Sequence, residues 1–242
     1  MPASYSSPGV YVEEVPPMSR PIAGVSTSTP GFVAVIPDTV YLPFIKDGAC
    51  KWSAHAVTVE ELKPQRISSW SSYVKIFGDF VGNKDATAEA TAQTITTEQR
   101  NLAHAVFGFF NNGGTGCYVV RITNISQMTA ALTALSTIEE ISMVAAPGLD
   151  KQEDLIGYAS KYKQFAIMDF PGDATIATAK TVTASSYAAA YYPWLEVFDP
   201  GKYLIDSVAK PEISPERMGK VLVPPSGHIA GIYARSDAAR GA

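Results

Sequence analysis

The chain is poor in the residues that usually do chemistry. It has three histidines, His55, His104 and His228, and none stands at metal-ligand spacing from another His or a Cys. Cys50 and Cys117 are the two cysteines. They form no C-x-x-C pair and no disulfide framework, and a reducing cytosol suits synthesis of such a chain. No run of about 18 apolar residues occurs, which excludes a membrane-spanning helix. The N-terminus has no basic stretch followed by an apolar one, so it is not a secretory signal. Lys and Arg total 19 against 23 Asp and Glu, a net charge of -4. No basic block stands out, so neither nucleic acid nor an anionic membrane surface is an expected partner. There is no P-loop, no G-x-S-x-G elbow and no G-x-G-x-x-G after a strand. Gly114-Thr115-Gly116 comes closest to the last, but it precedes a strand and lacks the third glycine. No cofactor and no metal are implied.

What is present is a core. Of 242 residues, 46% are hydrophobic and 17% charged, which excludes wholesale disorder. Gly31 to Ile36 reads as a first buried strand. Residues 37–66, interrupted by Pro37, Pro43 and Pro64, read as a loop-rich insertion, and 82–97 as a polar surface excursion. Leu102, Val106, Phe109 and Phe110 share one helical face, ended by Asn111-Asn112-Gly113-Gly114. Cys117–Ile122 follows as a strand, and Met128, Ala131, Leu132 and Leu135 mark another helix. Ile141–Ala146 is a strand. Asp150 to Glu153 then has capping-box spacing before a helix through Leu155, Ile156, Ala159 and Tyr162. After the strand 164–170, an Ala-rich helix is expected to run to about Ala190, and 193–198 reads as a further strand. Val221 to Val223 and a Pro-Pro turn lead into a last helix with Ile229, Ile232 and Tyr233 facing inward.

Apolar strands alternating with helices of this length predict an α/β protein, a mainly parallel sheet flanked by helices, with an extended N-terminal β arm. The expected organisation is an arm over 1–22, a first core strand with variable insertions over 23–100, and an α/β core over 101–242.

An α/β sheet invites the enzyme reading, and the residues argue against it. Ser226 and His228 are two apart at a helix start, a poor way for a base to reach a hydroxyl, and Ser226 reads better as a helix cap. Glu13/Glu14, Glu60/Glu61 and Glu139/Glu140 read as solvated or salt-bridging charges. Adjacent carboxylates on a strand point to opposite faces, so Glu13 and Glu14 cannot work as one acid/base pair. Cys117 and His104 read as packing residues. Asp169 and Asp199 lie at carboxyl ends of strands, where α/β sites form, but without a partner base or Gly-rich loop they read as structural.

The arm is the unusual feature. Val10-Tyr11-Val12-Glu13-Glu14-Val15 has a strand's composition, bracketed by Pro8-Gly9 and Pro16-Pro17, with no nearby pairing partner. A strand that cannot pair at home can add to the sheet edge of another chain. Val10 and Val12 fall on one face, Tyr11 and Val15 on the other. The two glutamates discourage uncontrolled stacking.

"SPGVYVEEV" followed by "SRPIAGVSTSTPGFVA" resembles the N-terminus of contractile tail sheath proteins of bacteriophages and phage-tail-like injection particles. The resemblance returns at "ISSWSSYVKIFGDF", "LAHAVFGFFNNGGTGCYVVRI", "ISMVAAPG", "YYPWLEVFDP" and "VPPSGHIAGIYARSDAARG". Six blocks in the family's order are a specific set; residues 37–66 and 82–101 are not matched. The resemblance implies a non-enzymatic subunit that polymerises helically around an inner tube protein and contracts to drive it through a target envelope. It further implies β-strand exchange between subunits through Val10, Tyr11, Val12, Glu13, Glu14 and Val15. The implied partners are other sheath subunits, the inner tube, and baseplate and terminator or cap proteins, after synthesis in a bacterial cytoplasm and assembly into a tail-like particle. Sheath proteins of this kind continue past the "DAARG" block into a C-terminal domain that helps receive the neighbour's arm. The stop at Ala242 implies a fragment or a reduced paralogue, such as a short cap, terminator or baseplate-proximal adaptor.

Overall fold

The computed structural model describes residues 28–81, 97–179, 184–209 and 212–241. The chain begins there with β1 (Thr29–Val35), a hairpin of β2 (Thr39–Lys46) and β3 (Ala49–Ala56), and the short β4 (Gln65–Ile67). Helix α1 (Trp70–Phe77) and helix α2 (Thr97–Asn111) lead into β5 (Cys117–Ile122), α3 (Met128–Leu135) and β6 (Ile141–Ala145). Next come α4 (Gln152–Tyr162), β7 (Phe165–Asp169), the single turn α5 (Ile176–Ala179) and β8 (Ala188–Tyr191). The last described elements are β9 (Leu195–Phe198), α6 (Pro200–Ala209), β10 (Lys220–Val223) and α7 (Ser226–Arg240).

The main sheet has the order β4-β5-β1-β6-β7-β8. All neighbours are parallel except β4, which runs antiparallel to β5 at one edge. β1 sits near the middle, buried from Thr29 to Ala34. Its side chains alternate between two cores, because successive residues of a strand face opposite ways. Phe32 and Ala34 join Leu102, Val106 and Phe109 of α2, Tyr73 and Phe77 of α1, and Ala230 and Ala234 of α7. Val33 joins Met128, Leu132 and Leu135 of α3 and Leu155 and Ala159 of α4 on the other face. The result is three layers, helices on both faces of a mainly parallel sheet, as the apolar strands predict.

Leu102, Val106 and Phe109 of α2 and Met128, Ala131, Leu132 and Leu135 of α3 are buried as their periodicity predicts, Phe110 is partly buried, and α2 is buried on its other faces too from Gln99 to Val106. Gly113 ends α2 at φ 107°, and the Gly114 amide returns to the Phe109 carbonyl at 2.9 Å, closing the last turn.

Four expectations differ. Residues 37–66 are not irregular: they hold the β2–β3 hairpin, turned at Asp47-Gly48 with φ 54° and 75°. Two successive positive φ values are what a two-residue hairpin turn with the strands' own twist requires, and Asp-Gly supplies them. Pro43 is accommodated within this two-stranded ribbon, which leaves one side of each strand unpaired. Ala188–Tyr191 is not helical but forms β8 against β7, where four small or aromatic residues fit a sheet edge. Asp150 does not cap α4; its N-cap position is Lys151 and no side chain accepts there. On α7, Ile229 and Tyr233 pack partly buried against the core as expected, but Ile232 is exposed, and the most buried positions are Gly227, Ala230, Gly231 and Ala234. Small residues win because α7 lies against α2 at backbone distance. A Cβ on Gly227 would lie 2.3 Å from Ala105 Cα, and one on Gly231 would lie 2.5 Å from the Phe109 carbonyl oxygen.

Candidate functional site

Sites in α/β sheets form at the carboxyl ends of the strands, and here those ends are tied up in structure. Asp169 ends β7. Its Oδ1 accepts from the Ser226 amide at 2.8 Å, and its Oδ2 accepts from Ser226 Oγ at 2.6 Å and the Gly148 amide at 3.1 Å. The carboxylate therefore joins the ends of β6, β7 and α7, and caps α7 where the helix dipole favours a negative group. Asp169 is 5% exposed, and burial pushes its pKa up to about 6 against the pull of those three donors. Ser226 was expected to cap its own helix. It donates to Asp169 instead, and the cap comes from 57 residues away.

The second cluster joins α2 to α6. His104 Nε2 lies 2.8 Å from Asp199 Oδ2, with both side chains buried. Asp199 Oδ1 accepts from the Lys202 amide at 2.7 Å, capping the start of α6. Phe80 packs on the His104 ring at 4.8 Å. His228 fills the space above Gly108, where a Cβ would lie 2.6 Å from its ring, and its Nδ1 has no partner. Burial first and the neighbouring His104 second lower its pKa. Ser226 and His228 thus make no nucleophile–base contact, since the hydroxyl donates elsewhere. Cys117 is fully buried, and burial pushes its thiol far from the reactive range. Glu60 pairs with Lys63 at 3.6 Å, Glu61 accepts from Gln127 at 2.8 Å, and Glu140 accepts from the Tyr118 hydroxyl. Among the described residues no group of three or more His, Cys, Asp or Glu is placed to hold a metal ion, and no helix is long and apolar enough to cross a membrane.

Two strands read in the sequence, 193–198 and 221–223, pair with each other at the surface. β9 and β10 form a separate antiparallel ribbon with the register Phe198 to Lys220 and Leu222 to Glu196. Its inner residues, Val221 and Val223, are buried, while Phe198 and Leu222 on the outer face are 57% and 52% exposed. Tyr203 of α6 packs against Phe198 with ring centres 5.7 Å apart, and Lys220 pairs with Glu196 at 2.7 Å. The sequence Lys220-Val221-Leu222-Val223 is a short apolar run without alternation, so which of its residues are covered is set by the pairing with β9 and not by a local period. The arm residues Val10, Tyr11, Val12, Glu13, Glu14 and Val15 lie outside the described residues.

The chain aligns with the cryo-EM structure of the anti-feeding prophage (AFP) helical sheath in its contracted state. The match covers 98% of this chain and 54% of that one, at 23% sequence identity and a TM-score of 0.50. The likeness is one of fold. This chain spans about half the length of that sheath chain. No protein-family model and no curated protein matches the sequence.

Proposed function

We propose that the chain is a structural subunit of a contractile tail sheath, polymerising around an inner tube and linked to its neighbours by β-strand exchange through Val10–Val15. The fold likeness to a helical sheath over nearly the whole chain carries this reading, and the six ordered sequence blocks support it. So does the use of three chemically capable groups. Asp169, Asp199 and His104 are bonded into the ends of strands and helices, which suits a rigid block better than a reaction centre. Contraction of such an array needs rigid subunits and links that survive the change of packing. A strand held by main-chain hydrogen bonds provides such a link, because it fixes attachment without fixing the angle between the bodies it joins. The arm over 1–22 is the donor in this reading and the layered α/β body is the block. The partners are further copies of the chain, the tube, and baseplate and terminator proteins in a tail-like particle assembled from cytoplasmic subunits. Negative-stain microscopy of the purified chain tests the reading. Tubes or rings of repeating subunits are expected, and isolated monomers at every concentration would refute it.

A further inference from the structure

The described chain begins at a tied end. Ser28 is buried, and its hydroxyl donates to Asp237 Oδ2 in the last turns of α7. Thr29 lies opposite Ile141 of β6, and Pro30 lies opposite Met143, so the register slips by one residue at Ser142. Chain segments near a terminus are loose unless something ties them down. The tie at Ser28 fixes where the residues just before it must pass.

Beside that tie is a recess of about 380 Å³ lined by Ser142, Met143, Phe165, Tyr233 and Asp237. It lies between the amino ends of β6 and β7 and the second half of α7. Its apolar wall is held in place. The Tyr233 ring meets Phe165 edge-on with centres 5.9 Å apart, and the Tyr233 hydroxyl is bonded to that of Tyr191. Ser142 Oγ is buried and has no hydrogen-bond partner, a state that costs stability unless a partner arrives. The Asp237 carboxylate on the rim, already bonded to Ser28, disfavours an acidic occupant and can accept further N–H or O–H donors. The recess thus fits a short uncharged stretch of chain with one aliphatic side chain and free main-chain or hydroxyl groups beside it.

We infer that this recess is the seat of Val25 of the same chain, with the main chain or hydroxyls of residues 24–27 meeting Ser142 Oγ. Residues 23–27 read Ala-Gly-Val-Ser-Thr, and the chain carries no charge between Arg20 and Asp38. Val25 stands three positions before Ser28, and an extended chain spans at most about 3.3–3.6 Å per residue, so Val25 lies within about 11 Å of Ser28. Asp237, which Ser28 touches, lines the recess, so the seat is within that reach. The seat uses residues next to β1 and leaves the strand over 10–15 free to pair by its main chain elsewhere. Its role as the root of a linking arm rests on the arm-exchange reading above; the contact itself does not. A seated root passes a pull on the arm to β6, β7 and α7 as well as to β1.

The test replaces Val25 in the full chain by an aliphatic amino acid carrying a diazirine. Unlabelled and ¹⁵N-labelled copies are mixed, irradiated, and their cross-links mapped by mass spectrometry. Cross-links from position 25 to Ser142, Met143, Phe165, Tyr233 or Asp237 are expected, joining residues of one isotopic label. The same cross-links are expected in a chain that also carries Val12→Pro, since the seat does not use the strand over 10–15. In a separate variant, Val25→Asp should speed amide hydrogen exchange at least tenfold at the amino ends of β6 and β7 and leave α3 unchanged. Cross-links between differently labelled chains would mean that a neighbour's segment fills the recess, and would overturn the seat. Cross-links only to other parts of the body, or none, would overturn it as well, as would hydrogen exchange unmoved by Val25→Asp. The two readings fail separately. Loss of these cross-links with tubes intact overturns the seat and leaves arm exchange standing, whereas cross-links retained in a chain that forms no tubes support the seat and count against arm exchange.

Discussion

Gly227→Ala is the substitution whose cost the structure sets most sharply. A Cβ there would lie 2.3 Å from Ala105 Cα, 2.4 Å from its carbonyl oxygen and 2.5 Å from its Cβ. Carbon atoms rest about 3.5–4.0 Å apart, so the first turn of α7 must retreat from α2 by roughly 1–1.5 Å. That turn is not free to move, because the Ser226 amide and hydroxyl are held by Asp169 at 2.8 and 2.6 Å. Overpacking of this kind costs about 1–3 kcal/mol, and loosening a charge-assisted bond adds about 1 kcal/mol or more. Against this stands the helix propensity of Ala over Gly, at most about 1 kcal/mol. The clash wins, and a net loss of about 1–3 kcal/mol is expected. The control is Gly157→Ala in α4, where nothing lies within 4 Å of the new Cβ. There the propensity term acts alone and about 0.5–1 kcal/mol should be gained. Urea denaturation followed by circular dichroism separates the two: the midpoint falls for Gly227→Ala and rises for Gly157→Ala, at similar m. Equal midpoints, or a rise for both, would refute the close packing of α7 on α2.

Other expectations follow from the same contacts. Because the folded pKa of Asp169 is raised from 3.8 to about 6, its contribution to stability is fully present below about pH 4 and is lost as pH rises through 6. Asp169→Asn should remove that dependence. The stability difference between variant and wild type should then shift by roughly 2–3 kcal/mol in the variant's favour between pH 4 and pH 7; parallel pH profiles in thermal melts would contradict this. Asp199→Ala strands His104 and the Lys202 amide in a buried site and should cost about 3–5 kcal/mol in denaturant titrations. Gly48→Val forces a β-branched residue to φ 75°. It should destabilise by about 1–3 kcal/mol, with hydrogen exchange accelerated first in the β2–β3 hairpin.

Legibility followed the range of the forces involved. Leu102, Val106 and Phe109, and Met128, Ala131, Leu132 and Leu135, announce their helices because burial repeats at the helical period within the segment itself. The parallel sheet was equally readable from strands apolar on both faces. Residues 188–191 were misread because alanines suit a helix locally, while the pairing with β7 that makes them a strand is a tertiary fact. The Asp47-Gly48 pair is a local hairpin signal, but Pro37, Pro43 and Pro64 in the same stretch favour loop or edge positions and oppose it. On α7, Ile229 and Tyr233 do pack on the core, and the exposed Ile232 and the small residues at the contact escape the pattern for a related reason. Large apolar residues advertise burial, whereas Gly227 and Gly231 are buried because α2 comes so close that only hydrogen fits. At the chemistry-bearing positions the residues suggested structural roles, and the contacts assign them: Asp169 caps α7 and Asp199 pairs with His104.

The central claim is that copies of this chain are joined through the arm into a tubular array, with the α/β body as an independent rigid block. Val12→Pro removes a backbone donor and fixes φ in the middle of the proposed arm. The most direct measurement is negative-stain microscopy of wild type and Val12→Pro side by side, with a thermal melt of each. The account predicts tubes or rings for wild type, dispersed particles for Val12→Pro, and melting curves that superimpose. Intact tubes from Val12→Pro, or a variant that no longer folds, would contradict it.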